Sequence, residues 1–308
     1  HHGGTVRTRA EVSRILIEAG KAVGVELVDG ERLSANVVIS GAQVQITLLQ
    51  LVDPTALSAS LRHRLRCLRV ANGIGLTLQC PLDELPHYEA FPCDGERDCH
   101  RGLQFFCPSV EHLEHAYGDY QLGRPAEHPS FYAVTPSVID PSLAPPGKHT
   151  LYIWGQYYPY TLGGNQTWEQ IKGHEAAKLL GALAAYAPNV PHAYGEVFVQ
   201  SPVDLERRLG LVRGHCMHID MSLDQMFFLR PLPELSGYRT PIAGLYLTGA
   251  STHPIGGVTG MSGYNAARVV LGDLQAASRR KRAFALGALA GAAGATALAK
   301  VWRRPREH

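Results

Sequence analysis

The part of the sequence best suited to chemistry is a glycine-rich loop between an apolar run and a helical pattern. Residues 244–250 are apolar, residues 251–260 are rich in glycine, and residues 261–271 have the spacing of a helix. A helix that begins after such a loop presents unpaired backbone N–H groups and the positive end of its dipole. These groups bind anions, so the loop is a candidate site for a negative charge. A purely structural turn is the alternative interpretation.

Other catalytic signatures do not occur in the sequence. No Gly-Lys-Ser/Thr follows the loop, as a P-loop requires, and there is no Gly-x-Gly-x-x-Gly fingerprint. A Ser-His-Asp arrangement, an HExxH motif and carboxylates paired at a meaningful spacing are also missing. His253, next to Pro254, is a weak candidate for a proton donor. The alternative for His253 is a loop residue held in place for structural reasons.

Strands must position this loop. Residues 5–17 and 22–27 have the β-branched pattern of two strands joined by a short turn. Residues 33–40 are predicted to form a strand buried on both faces, because their centre is a continuous apolar run. Parallel core strands share this pattern, so residues 37–39 are expected beside residues 245–247 in one sheet layer.

The middle of the chain predicts a mixed arrangement of strands and helices. Alternating residues at 74–80 and the run at 149–156 indicate two strands. Residues 168–186 indicate a helix, which Thr167 and Gln170 begin with a capping box. The expected fold class is therefore α/β, with mixed α+β character.

Composition and charge exclude several classes of protein. The 308 residues are 45% hydrophobic and 18% charged, as in a globular chain. Residues 279–308 hold eight of the 29 basic groups and one of the 27 acidic groups, which leaves 21 and 26 in the body. An acidic body with no basic stripe argues against nucleic acid as a partner.

The six cysteines form no Cys-x-x-Cys pair, so free thiols in a reducing, cytoplasmic compartment are expected. A zinc site near Cys93, Cys99 and Cys107, with neighbouring histidines, is the alternative. Structural zinc sites usually pair ligands two to four residues apart, so no metal is expected.

Residues 244–270 resemble the C-terminal flavin motif of the phytoene desaturase-like FAD-dependent oxidoreductases, which share the glutathione-reductase type of FAD domain. Segments 222–225, 230–233 and 237–241 fit a branch of this family distinct from the carotenoid desaturases themselves. The resemblance covers residues 3–274, with Ile255 where relatives usually carry a glycine. The family's N-terminal Gly-x-Gly-x-x-Gly unit does not occur here, so the chain resembles a C-terminal portion that starts inside a longer reading frame.

The resemblance implies an FAD cofactor and names its contacts. The backbone of Val12 would meet the adenine. The N–H groups of Gly257, Val258 and Thr259 would stabilise the negative charge that reduced flavin gains near N1 and O2. Hydride transfer of this kind needs no side-chain nucleophile. Weaker candidates for substrate contacts are Tyr157, Phe227 and Arg230. The complete set of implied cofactor contacts is Val12, Gly249, Ala250, Gly256, Gly257, Val258 and Thr259.

The resemblance also implies the domain organisation. Residues 1–46 and 206–274 would form a partial glutathione-reductase-type FAD domain, interleaved with a mixed-sheet substrate domain at 47–205. Residues 275–308 are expected to form a basic helical tail. The uncharged run 283–299 would make a helix of about 26 Å, shorter than the ~30 Å hydrocarbon layer. Two interpretations stay open for residues 279–304, a membrane contact and a free helix.

The implied function is hydride transfer between flavin and a carbon atom of an apolar, isoprenoid- or carotenoid-like small molecule. A flavin-dependent isomerase or saturase is an alternative within the same family. A truncated, non-catalytic interaction protein is the alternative from another class, because the dinucleotide-binding unit does not occur in these residues.

Overall fold

The computed structural model describes residues 3–92, 96 and 98–280, which form the mixed α/β fold that the sequence predicts. Two compact units make up the chain. Unit 1 combines residues 3–67 with 222–280, and unit 2 is Leu68–Met221. The domain boundaries expected after residues 46 and 205 stay a prediction. Cys93 and the predicted tail from residue 281 lie outside the described residues.

Unit 1 begins with an antiparallel meander. Its strands are β1 (Val12–Glu18), β2 (Lys21–Leu27) and β3 (Arg32–Ser34). Ala19 and Gly20 join β1 to β2 with φ values of 47° and 75°. Two successive positive φ values match the twist of a hairpin. The predicted strand at 5–17 is too long, because Val6 is exposed and regular pairing begins at Val12.

The predicted strand at 33–40 is divided between two sheets. The amide of Ala35 still donates to the carbonyl of Val23 in the meander, at 2.8 Å. Strand β4 (Val38–Ser40) then pairs in parallel with β10 (Leu245–Leu247), which confirms the expected neighbours. Burial on both faces is wrong for β4, since Ile39 is 46% exposed. Within the described residues β4 pairs with β10 alone, so one of its sides has no covering strand.

The described residues of unit 1 also form two α-helices, α1 (Ala59–Cys67) and α7 (residues 261–280). Helix α7 buries Ala266 and Val270. The sequence predicts that α7 begins near Gly257, but positive φ values at Val258 (59°) and Gly260 (69°) delay its start.

Unit 2 is a five-stranded sheet covered by a helix. The two predicted central strands, β5 (Gly75–Leu82) and β8 (His149–Gln156), pair antiparallel along their whole length. Helix α4 (Trp168–Ala184) packs its Leu179 and Leu183 in the same core as the inward residues of these strands. The amide of Thr167 donates to Gln170 Oε1 at 2.9 Å, as the predicted capping box requires. The remaining strands are β6 (Gln104–Phe106), β7 (Phe131–Val134) and β9 (Phe198–Gln200).

Short helices fill the connections of unit 2. They are α2 (Val110–Gln121), α3 (Pro136–Ile139), α5 (Val190–Ala193) and α6 (Pro202–Leu209). None of the helices in the described ranges is long and apolar enough to cross a membrane. Among the same residues, no group of three or more His, Cys, Asp or Glu side chains is placed to hold a metal ion.

Candidate functional site

The candidate site lies where two parallel strands end. After β4 and β10, the amide of Thr248 donates to the carbonyl of Ser40 at 2.8 Å. Gly249 follows with a φ of 81°, and a Cβ added to it would stand 2.9 Å from the carbonyl oxygen of Gly41. The loop that leaves the sheet here, residues 249–260, is called the glycine loop below. The carboxyl ends of parallel strands are the usual ligand-binding edge of α/β folds.

The inner part of the glycine loop, residues 249–255, is held by hydrogen bonds to other segments. The amide of Val44 donates to Ser251 Oγ at 3.0 Å. The Tyr238 hydroxyl donates to the carbonyl of His253 at 2.7 Å and itself accepts from Asn265 Nδ2 at 2.9 Å. Because these groups come from three separate segments, the inner part has a fixed position.

The outer part of the loop, residues 256–260, is open. A Cβ added to Gly257 or Gly260 would meet no atom within 4 Å. In the part of the chain that the structure describes, none of the backbone N–H groups of Gly257, Val258 and Thr259 donates a hydrogen bond. These amides precede α7 and do not form its first turn, which corrects the prediction. They are therefore three exposed donors in a loop, one turn ahead of the helix.

Backbone strain is concentrated in this loop. Ile255 has a φ of 92° and Val258 a φ of 59°. Positive φ is rare for β-branched residues and costs about 1–3 kcal/mol at each position. Two such residues within four positions give the loop an unusual conformation. The hydrogen bonds of the inner part must offset the free energy of this strain.

Asp273 of helix α7 bonds to Arg239, which precedes β10, and to Tyr246 of β10. Arg239 donates through Nε and Nη2 to the two carboxylate oxygens of Asp273, at 2.8 and 2.9 Å. The Tyr246 hydroxyl donates to the same carboxylate at 3.0 Å. The hydrogen bond from Arg239 lowers the pKa of Asp273, and burial is the main cause of the raised pKa of Tyr246. The helix that follows the glycine loop is thus tied to the strand that precedes it.

Arg230, a predicted substrate contact, is buried and bonds to the backbone of two segments. Its side chain is 1% exposed. The Nε and Nη2 atoms donate to the carbonyl of Ala250 at 3.0 and 2.8 Å, and Nη1 donates to the carbonyl of Gln225 at 2.9 Å. These bonds join two backbone segments, and the role of Arg230 in binding substrate stays a prediction. Phe227, which lies in the same segment, is 56% exposed and available to a ligand.

Tyr157, the other predicted substrate residue, belongs to unit 2. Its ring packs against Tyr117 and Tyr120 with centroid distances of 5.2 and 5.8 Å. Burial raises the pKa of Tyr157, so the phenol stays neutral at physiological pH. Its role in binding substrate stays a prediction.

The predicted roles of Val12 and His253 also stay predictions. Val12 is the first residue of β1 and pairs with Leu27. His253 is half-buried, and its carbonyl receives the Tyr238 hydroxyl.

Sequence reasoning missed the contribution of Gly41 and Tyr238 to the site. A signal for Gly41 exists in the sequence, since an apolar run ends in Ser-Gly-Ala at 40–42 and another ends in Thr-Gly-Ala at 248–250. No comparable pattern marks Tyr238, because its contact with His253 depends on the folded loop.

Comparison with known proteins makes the chain a homologue of oxidoreductases related to the phytoene desaturases, which confirms the resemblance found in the sequence. It is 37% identical over 281 residues to pyridine nucleotide-disulfide oxidoreductase domain-containing protein 2 of Mus musculus, a match that covers 89% of this chain and 48% of the relative. It is 27% identical to a phytoene desaturase (lycopene-forming) of Paracoccus sp., over 89% of this chain and 52% of the relative.

Among solved structures, an oxidoreductase from Methanosarcina mazei aligns with 85% of this chain and 48% of its own, at 21% identity and a TM-score of 0.45. No protein-family model matches the chain. The chain spans about half the length of the curated relatives it matches.

Proposed function

We propose that this chain binds the reactive edge of FAD at the glycine loop and supports hydride transfer between flavin and a carbon atom of an apolar, isoprenoid-like molecule. The observation that carries the proposal is the set of exposed N–H groups at Gly257, Val258 and Thr259, in the loop that leaves the carboxyl end of β10. Unit 1 would be the FAD-binding unit and unit 2 the substrate unit.

The residues of the loop fit a flat anionic ligand. The space beside Gly257 and Gly260 is open, so a planar ring can approach the backbone without meeting side chains there. Bound FAD would supply the hydride acceptor. The chain's own contribution is to aim backbone dipoles at the place where negative charge develops. A fixed inner loop means that these dipoles need little rearrangement as that charge forms.

Further contacts to the cofactor are proposed from the resemblance. Gly249, Ala250 and Gly256 would approach it at the start of the loop, and Val12 would present its backbone to the adenine. Gly249 and Ala250 lie in the fixed inner part, where the carbonyl of Ala250 already accepts from Arg230. FAD would therefore contact these two residues through backbone groups other than the Ala250 carbonyl.

An apolar substrate agrees with the exposed side chains of the segment that Arg230 bonds to the loop. Leu223, Phe227 and Phe228 of unit 1 are 82%, 56% and 75% exposed. Contiguous apolar residues on a surface usually mark a ligand or a partner. Phytoene desaturases among the relatives are named for phytoene, an apolar polyene, and this name supports the same substrate class here.

A substitution in the loop tests the proposal. We expect Gly257→Val, made in the natural reading frame of the protein, to raise the Kd for FAD about tenfold or more. Gly147→Val is the matched control, since Gly147 also has a positive φ (74°) and open space around it but lies in unit 2. Equal FAD affinity for the two variants would overturn the assignment of the loop.

Product analysis separates net oxidation from isomerisation. Under anaerobic conditions, a desaturase acts with oxidised flavin only as long as an electron acceptor is supplied. An isomerase or saturase instead depends on reduced flavin. Turnover that consumes the acceptor in proportion to product would establish the oxidoreductase.

A further inference from the structure

Arg230 connects two segments of unit 1 that are separate in sequence. One is the aromatic turn, residues 222–229, which carries the exposed Phe227 and Phe228. The other is the inner part of the glycine loop. The guanidinium donates to the carbonyl of Gln225 in the first segment and to the carbonyl of Ala250 in the second.

The geometry of this contact depends on arginine. Nε and Nη2 are adjacent donors of one planar group, and both reach the same oxygen of Ala250, at 3.0 and 2.8 Å. A guanidinium presents its donors in a rigid fork, whereas a lysine ammonium is a point charge on a flexible stem. Lysine could replace the charge at position 230 but could not bond both carbonyls in the same fixed directions.

Two other contacts of the inner loop come from segments outside the aromatic turn. Val44 donates to Ser251 from the segment after β4, and Tyr238 donates to His253 from a turn beyond the aromatic one. Among these three contacts, the one through Arg230 alone reaches residues 222–229. It therefore joins the turn that carries the exposed phenylalanines to the loop.

We propose that Arg230 is a positioning residue that makes the aromatic turn and the glycine loop one rigid unit. This inference rests on the proposed function for its consequence, since the rigid unit would hold the N–H groups of Gly257–Thr259 and the ring of Phe227 at a fixed separation around the flavin. Arg230 touches neither cofactor nor substrate in this scheme.

Hydrogen exchange of the protein without added ligand tests the connection directly. In Arg230→Lys, we expect amides in both 222–229 and 249–255 to exchange about tenfold faster, because hydrogen bonds from a charged donor are lost at both ends. Peptides from β1 and β2 should keep the wild-type rate. Acceleration in one segment alone, or in neither, would overturn the proposal, and uniform acceleration would show a general loss of stability instead.

Two further variants keep the test decisive if Arg230→Lys folds poorly. Tyr238→Phe removes the hydroxyl's hydrogen bonds to His253 and from Asn265, neither of which lies in 222–229. It should therefore accelerate 249–255 and leave 222–229 unchanged. Arg64→Gln removes an exposed ion pair with Glu234 in the same unit, and neither segment should respond. If Tyr238→Phe accelerates both segments equally, Arg230 is not what connects them.

FAD binding gives the second readout. If the connection positions the FAD site, breaking it with Arg230→Lys should raise the Kd for FAD about tenfold. This change should exceed any change in Arg64→Gln. If the exchange result holds but wild-type protein binds no FAD, the connection stands and the proposed function fails. If wild type and Arg230→Lys bind FAD equally, the connection has no part in the site.

Discussion

Gly249 approaches Gly41 so closely that a Cβ on Gly249 would stand 2.9 Å from the Gly41 carbonyl oxygen. The chain segments after β4 and β10 therefore contact each other through backbone atoms, with no room for a side chain between them. The contact determines where the glycine loop leaves the sheet, and the exposed N–H groups farther along the loop depend on it.

The first prediction concerns this contact. Gly249→Ala should lower the free energy of unfolding by about 1–3 kcal/mol more than Gly20→Ala. Both glycines have positive φ values, 81° and 75°, but only Gly249 also faces a steric clash. Urea denaturation of the two variants measures the difference. Equal losses would mean that the backbone of Gly41 moves aside.

The second prediction uses the strained valine of the outer loop. Val258 is fully exposed at a φ of 59°, so Val258→Gly removes strain without losing buried surface. We expect a gain in stability of about 1 kcal/mol, since the relief of strain exceeds the entropy that glycine adds to the unfolded chain. Val28→Gly, at an exposed residue with negative φ, should be destabilising. Melting temperatures that fall equally in both variants would show that the backbone of Val258 is not strained.

The third prediction concerns acid stability. The pKa of Asp273 is lowered from its ordinary value of 3.8, first by the hydrogen bond from Arg239. A lowered folded pKa contributes stability above pH 3.8, and this contribution is lost as the pH falls through the folded pKa. Because Arg239 is half-exposed, the contribution should be below about 1 kcal/mol.

Asp273→Asn measures this contribution. Its melting temperature should lie below that of wild type at pH 6, and the two should converge below the folded pKa of Asp273. A difference that persists unchanged at the lowest pH would show that packing, and not the ion pair, holds α7 to β10.

The fourth prediction addresses the proposed membrane contact of residues 279–304, of which the structure describes only Arg279 and Arg280. Changing both to Gln should weaken binding to anionic vesicles by about 1 kcal/mol per residue. A matched double change of exposed arginines elsewhere, Arg9 and Arg66, should have no effect. Equal sedimentation of both double variants with vesicles would remove the contact from the account.

The sequence predicts best where apolar pattern decides structure. Residues 37–39 and 245–247 are neighbours because both are continuous apolar runs, and β5, β8 and α4 follow from alternation and capping. The sequence predicts structure less well where tertiary contacts determine the backbone conformation. The division of 33–40 depends on Ala35 remaining with the meander, and the late start of α7 depends on the φ of Val258.

The candidate site shows the same division. The glycines and the loop position are visible in the sequence, but Arg230 is not distinguishable there from a ligand-binding arginine. Bonds from Arg230 to backbone carbonyls are an alternative that the sequence allows, but carbonyls carry no residue-type signal. That the carbonyls are those of Ala250 and Gln225 could therefore be found only in the folded chain.

The most direct test of the central claim is the visible absorption spectrum of the purified protein, expressed in its natural reading frame and titrated with FAD. Our account predicts a yellow protein, or one that acquires bound-flavin absorption on titration, with occupancy reduced by Gly257→Val. A folded, colourless protein whose spectrum and melting temperature do not respond to FAD would contradict it.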